Sequence, residues 1–125
     1  MVRRILVIDD DAQILAVASA SLGLVGMWDV LTASSGAEGL AQAAAGEPDA
    51  ILLDVMMPGL DGRTTLRELR ASPTTAGIPV IMLTASVGPR GEAPVFDLPV
   101  AGVLAKPFDI MGLAGDVAAA LGWDL

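Results

Sequence analysis

Short uninterrupted apolar runs alternate along this chain with stretches whose apolar residues recur at helical spacing. Arg4-Ile5-Leu6-Val7-Ile8 is a β-branched run of buried-strand type, and Ile14, Val17, Ala18, Leu22 and Val25 then follow at helical spacing. This predicts a strand followed by a helix. Asp29-Val30-Leu31-Thr32-Ala33 gives a second strand, and Ser34 or Ser35 can cap a helix over 36–45 with Glu38 in its first turn and Gly46 as its stop. Ala50-Ile51-Leu52-Leu53 is a third strand. A loop with Pro58, Gly59 and Gly62 leads to a helix over 64–71, and Pro79 to Leu83 and Gly102 to Ala105 are the fourth and fifth strands. Asp109 is placed to cap a last helix whose inward stripe is Ile110, Leu113, Val117 and Leu121.

Strands this uniformly apolar are the kind buried on both faces, which predicts an α/β fold with a parallel sheet and helices on either side. Right-handed crossovers then bring the carboxyl ends of the strands to one edge, where ligands of such sheets bind. No repeat or linker interrupts the pattern, so residues 1–125 are expected to form a single domain.

Composition narrows the chemistry. The chain has no Cys and no His, which removes thiolate chemistry, imidazole-ligated zinc and every His-based triad. A net charge of −8 with scattered arginines argues against a nucleic-acid binder. The uncharged stretch from Ala12 to Trp28 is diluted by Gln13, Ser19, Ser21, Gly23 and Gly26, so it reads as a helix of a cytoplasmic protein and not as a membrane span.

The polar residues at strand ends carry the strongest signal. Asp9 and Asp10 follow the first strand, Asp54 the third, Thr84 ends the fourth and Lys106 follows the fifth, so all fall at the same edge. Clustered carboxylates need a compensating cation, and Mg2+ takes one or two carboxylates together with water, carbonyl and phosphate oxygens. Asp10 and Asp54 are the candidate ligands, Asp9 can hold a coordinated water, and the carbonyl of Met56 completes the protein's share. With phosphate charge screened by the metal and by Lys106, a carboxylate oxygen of Asp54 can attack phosphorus and form an aspartyl phosphate. Lys106 is the only lysine beside six arginines, a compact point charge where a guanidinium fork would impose its own geometry. Thr84 can hydrogen-bond a phosphoryl oxygen.

The stretches VIDDD (7–11), LLDVMMPGLDG (52–62), IMLTA (81–85) and LAKPF (104–108) resemble the signature regions of two-component response-regulator receiver domains, of the stand-alone, chemotaxis-regulator-like kind. The resemblance runs from Arg4 to about Leu121. It implies a flavodoxin-like, doubly wound five-stranded parallel sheet of order 2-1-3-4-5 with five surrounding helices. It further implies that Asp9 and Asp10 are the metal-binding pair, Asp54 the phosphorylated residue, Thr84 the switch hydroxyl and Lys106 the phosphate-binding lysine. The phosphodonor it implies is a phosphohistidine on a histidine kinase or histidine phosphotransfer protein. Such a protein catalyses at most its own phosphorylation and dephosphorylation.

Two departures concern output. The family usually carries Tyr or Phe three residues before the Lys-Pro pair, where this chain has Val103. Pro89, Pro94 and Pro99 disfavour a regular fourth helix over 87–99, which is expected to be short or absent and to act as the switching segment itself. The uncharged outer face of the first helix, with Ala16, Ser19, Ala20 and Gly23, is expected to be a docking surface. Two rival readings stand beside the receiver. One is a small phosphohydrolase of the haloacid dehalogenase kind with Asp9 as nucleophile and Asp11 as acid/base; the other is a receiver-like interaction module that works without phosphorylation.

Overall fold

The computed structural model describes residues 2–85, 96 and 98–124. Five parallel strands, β1 (Arg4–Ile8), β2 (Asp29–Ala33), β3 (Ala50–Asp54), β4 (Val80–Thr84) and β5 (Gly102–Ala105), lie in the order β2-β1-β3-β4-β5. Strand side chains alternate between two cores. Ile5, Val7, Ala50, Leu52, Ile81 and Leu83 enter one, and Leu6, Ile8, Ile51, Leu53, Val80 and Met82 enter the other. Every one of these is fully buried, which is why the strands read as continuous apolar runs and not as an alternation. Burying each Leu or Ile contributes about 1.5–3 kcal/mol, so the sheet's centre is the main source of stability.

The first face is covered by α1 (Ala12–Ala20), its π-helical extension (Ser21–Val25) and α4 (Leu113–Leu121). Asp11 caps α1 by accepting from the Gln13 N–H at 2.9 Å. The sequence predicts one regular helix here, but its last turn widens: the N–H of Gly26 reaches the carbonyl of Ser21, five residues back. Leu22 and Trp28 thereby both enter the core, while Ser21 is buried with its hydroxyl unpartnered. Ala16 faces solvent as expected, Ser19, Ala20 and Gly23 are half-buried, and Leu24 is the large apolar side chain left outside. Trp123, just past α4, packs edge-on against Trp28 with ring centres 5.0 Å apart, and the Arg3 guanidinium lies 4.6 Å over the Trp123 ring.

The second face carries α2 (Gly36–Gly46) and α3 (Gly62–Ala71). Ser35 caps α2 by accepting from the Glu38 N–H, and the helix runs through Gly46 until Glu47 takes a left-handed turn at φ 46°. Asp61 caps α3 by accepting from the Thr64 N–H at 2.8 Å, so the helix starts at Gly62, two residues ahead of the start predicted from sequence. The helix ends at Ser72, held extended ahead of Pro73.

One sequence expectation changes, and another lies outside the described residues. Ile110 is not part of an inward stripe: it is 43% exposed, because the carboxylate and carbonyl of Asp109 close a turn over 109–113 and the helix begins only at Leu113. The expectation that the helix over 87–99 is short or absent falls mostly on residues 87–95 and 97, outside those described. Phe96, Leu98 and Val100 pack on the second core beside Val103. Arg63 lies 4.4 Å over the Phe96 ring, and Arg70 donates to the carbonyls of Ala76, Ile78 and Pro99. No helix among the described residues is long and apolar enough to cross a membrane.

Candidate functional site

Four of the five strands deliver site residues to the carboxyl edge: Asp9 and Asp10 follow β1, Asp54 ends β3, Thr84 ends β4 and Lys106 follows β5. Apolar burial holds β1 and β3 at the centre of the sheet, and the register pairing Ile8 with Leu53 sets Asp9 and Asp54 side by side at their ends. Asp9 is fully buried and Asp54 nearly so, while Asp10 is exposed. Carboxylate oxygens of the three lie within 4.8 Å of one another, the arrangement among the described residues that can hold a metal ion. This is a set of hard oxygen donors with an open side, which suits Mg2+ better than any softer ion.

Lys106 enters from β5. Its backbone N–H donates to the carbonyl of Thr84 at 2.8 Å, which fixes it one step beyond the strand pairing of Thr84 with Ala105. Its ammonium then lies between the carboxylates, 2.9 Å from Asp9 Oδ2 and 3.1 Å from Asp54 Oδ1. The other oxygen of Asp9 accepts from the Asp11 N–H at 2.9 Å, so both its oxygens are engaged.

The electrostatics follow from this crowding. Burial pushes the Asp54 carboxyl above the usual carboxylate range, the hydrogen bond from Lys106 pulls it back in part, and the neighbouring Asp9 charge raises it again. For Lys106 burial works to lower the pKa, but hydrogen bonds to Asp9 and Asp54 outweigh it and hold the ammonium above its ordinary value. The site therefore keeps its one cation charged.

Of the six residues singled out from sequence, Asp9, Asp10, Asp54 and Lys106 come together. Thr84 is buried at the end of β4, one strand over from Asp54. Met56 is exposed, and its N–H approaches Asp54 Oδ1 at 3.4 Å. Sequence reasoning read Gly62 only as a loop glycine; its N–H donates to the Val55 carbonyl at 3.0 Å and its bare Cα lies against the main chain of Asp54. A glycine directly after a capping Asp, as the first residue of a helix, was the available signal.

Comparisons with known proteins agree on one family. A family model described as the response regulator receiver domain matches residues 5–118. The DNA-binding dual master transcriptional regulator RpaA of Synechocystis is 42% identical over 118 residues, which cover 94% of this chain and 48% of that protein. The response regulator PleD of Caulobacter vibrioides is 42% identical over 109 residues, 87% of this chain and 24% of its own length. The chain thus spans half or less of these relatives. Among solved structures, the chemotaxis response regulator CheY4 of Vibrio cholerae matches with a TM-score of 0.85 at 28% identity, covering 96% of this chain and 99% of that one. The N-terminal domain of a response regulator receiver protein from Methanoculleus marisnigri matches with a TM-score of 0.72 at 31% identity, covering 99% and 100%.

Proposed function

This chain belongs to the response regulator receiver domains, the phosphoryl-accepting switches of two-component signalling, and from that premise we propose that Asp54 is the residue it phosphorylates. The observation that carries the assignment is the Lys106 ammonium held 3.1 Å from Asp54 Oδ1 at the end of a fully apolar strand. A nearly buried carboxylate beside a fixed cation is poised for an anionic electrophile that brings its own counter-ion.

The chemistry is a single displacement. A carboxylate oxygen of Asp54 forms the new bond to phosphorus as the bond to the donor breaks, and the donor's electron pair leaves with its former nitrogen or oxygen. Lys106 offsets charge on the phosphoryl oxygens, and the Thr84 hydroxyl is the candidate partner for one of them. Mg2+ would be held by Asp10, Asp54 and the carbonyl of Met56, with Asp9 orienting its water, and when bound it supplies charge neutralisation at the phosphoryl group. The donor is a phosphohistidine of a histidine kinase or histidine phosphotransfer protein, and the output is a change in binding to a downstream protein, in the cytoplasm. Residues 1–125 act as one receiver unit, with neither nucleic acid nor membrane as a partner. The reading in which Asp9 is the nucleophile is disfavoured by the engagement of both its oxygens.

Incubation with a small acyl phosphate and Mg2+, followed by intact mass spectrometry, tests the assignment. Wild type gains one phosphoryl group, and chelating the metal or making Asp54→Asn abolishes the gain. Retention of the modification in Asp54→Asn would sink it.

A further inference from the structure

We propose that Gly62 is a positioning residue for phosphoryl transfer: its missing side chain lets the first turn of α3 back onto the main chain of Asp54 and fixes where that carboxylate stands. The proposal rests on Asp54 being the acceptor. A Cβ at Gly62 would lie 2.1 Å from the carbonyl oxygen of Asp54, 2.7 Å from the Cα of Val55 and 2.9 Å from the carbonyl carbon of Asp54. All three are backbone atoms, so none can swing aside as the end of a side chain could. They are also tied from the far side, because the Val55 N–H donates to the Leu83 carbonyl at 3.0 Å and so holds the end of β3 to β4.

The helix has little room to retreat. Thr65 is fully buried with its hydroxyl donating to the Asp61 carbonyl at 2.8 Å, and Leu66 and Leu69 sit in the second core. Behind this turn stands α2, where a Cβ at Gly36 would lie 2.5 Å from Thr65 Oγ1 and 2.8 Å from the Leu60 carbonyl oxygen. The order of contacts is α2, then the first turn of α3, then Asp54, with no slack at either junction. A methyl group at position 62 is therefore relieved in part by moving residues 54 and 55 toward the pocket. There the carboxylate is set against Lys106 at 3.1 Å and the Met56 N–H at 3.4 Å, so a shift of a few tenths of an ångström alters the line of attack. Misplacement of a reacting group by about 1 Å can cost roughly a hundredfold in rate, and a fraction of that shift a fraction of that loss.

The experiment compares the full chain with Gly62→Ala, Gly36→Ala and Gly77→Ala, the last at a loop glycine where a Cβ meets nothing within 4 Å. Phosphoryl uptake is followed by intact mass over time at a series of acyl phosphate concentrations with Mg2+, and the folded fraction is taken from circular dichroism. The expected result is a maximal rate about threefold or more lower in folded Gly62→Ala with half-saturation within about twofold of wild type. Gly36→Ala is slowed in the same sense but less, and Gly77→Ala matches wild type. A wild-type rate in folded Gly62→Ala, or a slowing that only follows the folded fraction, overturns the proposal. Should Gly62→Ala fail to fold, Gly36→Ala decides, and a wild-type maximal rate there overturns it equally. Failure of wild type to take up the group, or retention in Asp54→Asn, instead strikes the acceptor assignment on which the proposal stands.

Discussion

Under α1 and α4 the space against the sheet is filled by volume: Leu22, Trp28, Leu113 and Val117 are buried there, and Trp123 closes the end. Under α2 and α3 much of the fit comes from what is left out. Gly39 lies against the side chain of Ile8, Gly36 against Leu60 and Thr65, and Gly62 against Asp54. The first face is a core of interlocking side chains, whose weakness is a cavity. The second brings helix backbones close to the strand ends that carry the acids, and its weakness is any added atom.

The largest expected effect breaks the first face by deletion. Leu22→Ala should lower unfolding free energy by about 2–5 kcal/mol, read from urea denaturation, with phosphoryl uptake per folded molecule unchanged. On the second face an addition should do comparable harm in a way that can be undone. A Cβ at Gly39 would lie 2.5 Å from Ile8 Cδ1, so Gly39→Ala should destabilise by about 1–3 kcal/mol despite the better helix propensity of Ala. Ile8→Val removes the offending methyl, and the double variant should recover about 0.5–2 kcal/mol of that loss; additive losses would mean the contact is not tight. The smallest effect has the opposite sign. Ser21 is buried on the first face with its hydroxyl unpartnered, and Ser21→Ala should raise stability by about 1 kcal/mol, seen as a later thermal midpoint.

The two faces also differ in how well the sequence announces them. The inner strands β1, β3 and β4 were legible because residues buried on both faces leave unbroken apolar runs, and the half-exposed edge strands β2 and β5 also fall where their runs predict. The edge residues were legible for the complementary reason: Asp9, Asp54, Thr84 and Lys106 end runs whose interiors are wholly apolar. Helix starts were less so. Ile110 keeps helical spacing with Leu113 and Val117 but sits in the turn that Asp109 closes, a competition between local capping and periodicity that spacing cannot resolve. The π turn at Ser21–Val25 has no sequence signal of its own, since one widened turn shifts the apolar phase by less than a residue. Nor could the joint hold of Lys106 on Asp9 and Asp54 be read, because it depends on how β5 and β1 lie across β3 and β4. Gly62 was visible as a loop glycine, yet its role lies in a distance to a backbone atom eight residues earlier.

The pairing of Trp28 with Trp123 has a spectroscopic consequence. These are the only tryptophans and the chain has no tyrosine, so ultraviolet-excited emission arises almost wholly from one pair of indoles 5.0 Å apart. Trp28 precedes β2 and Trp123 follows α4, which puts the pair at the end of the sheet opposite the acids. The protein thus carries a built-in optical gauge of its far end. Emission will follow the fraying of the chain's last turn and global unfolding, and any change in it on ion or phosphoryl binding measures a disturbance that has crossed the length of the strands.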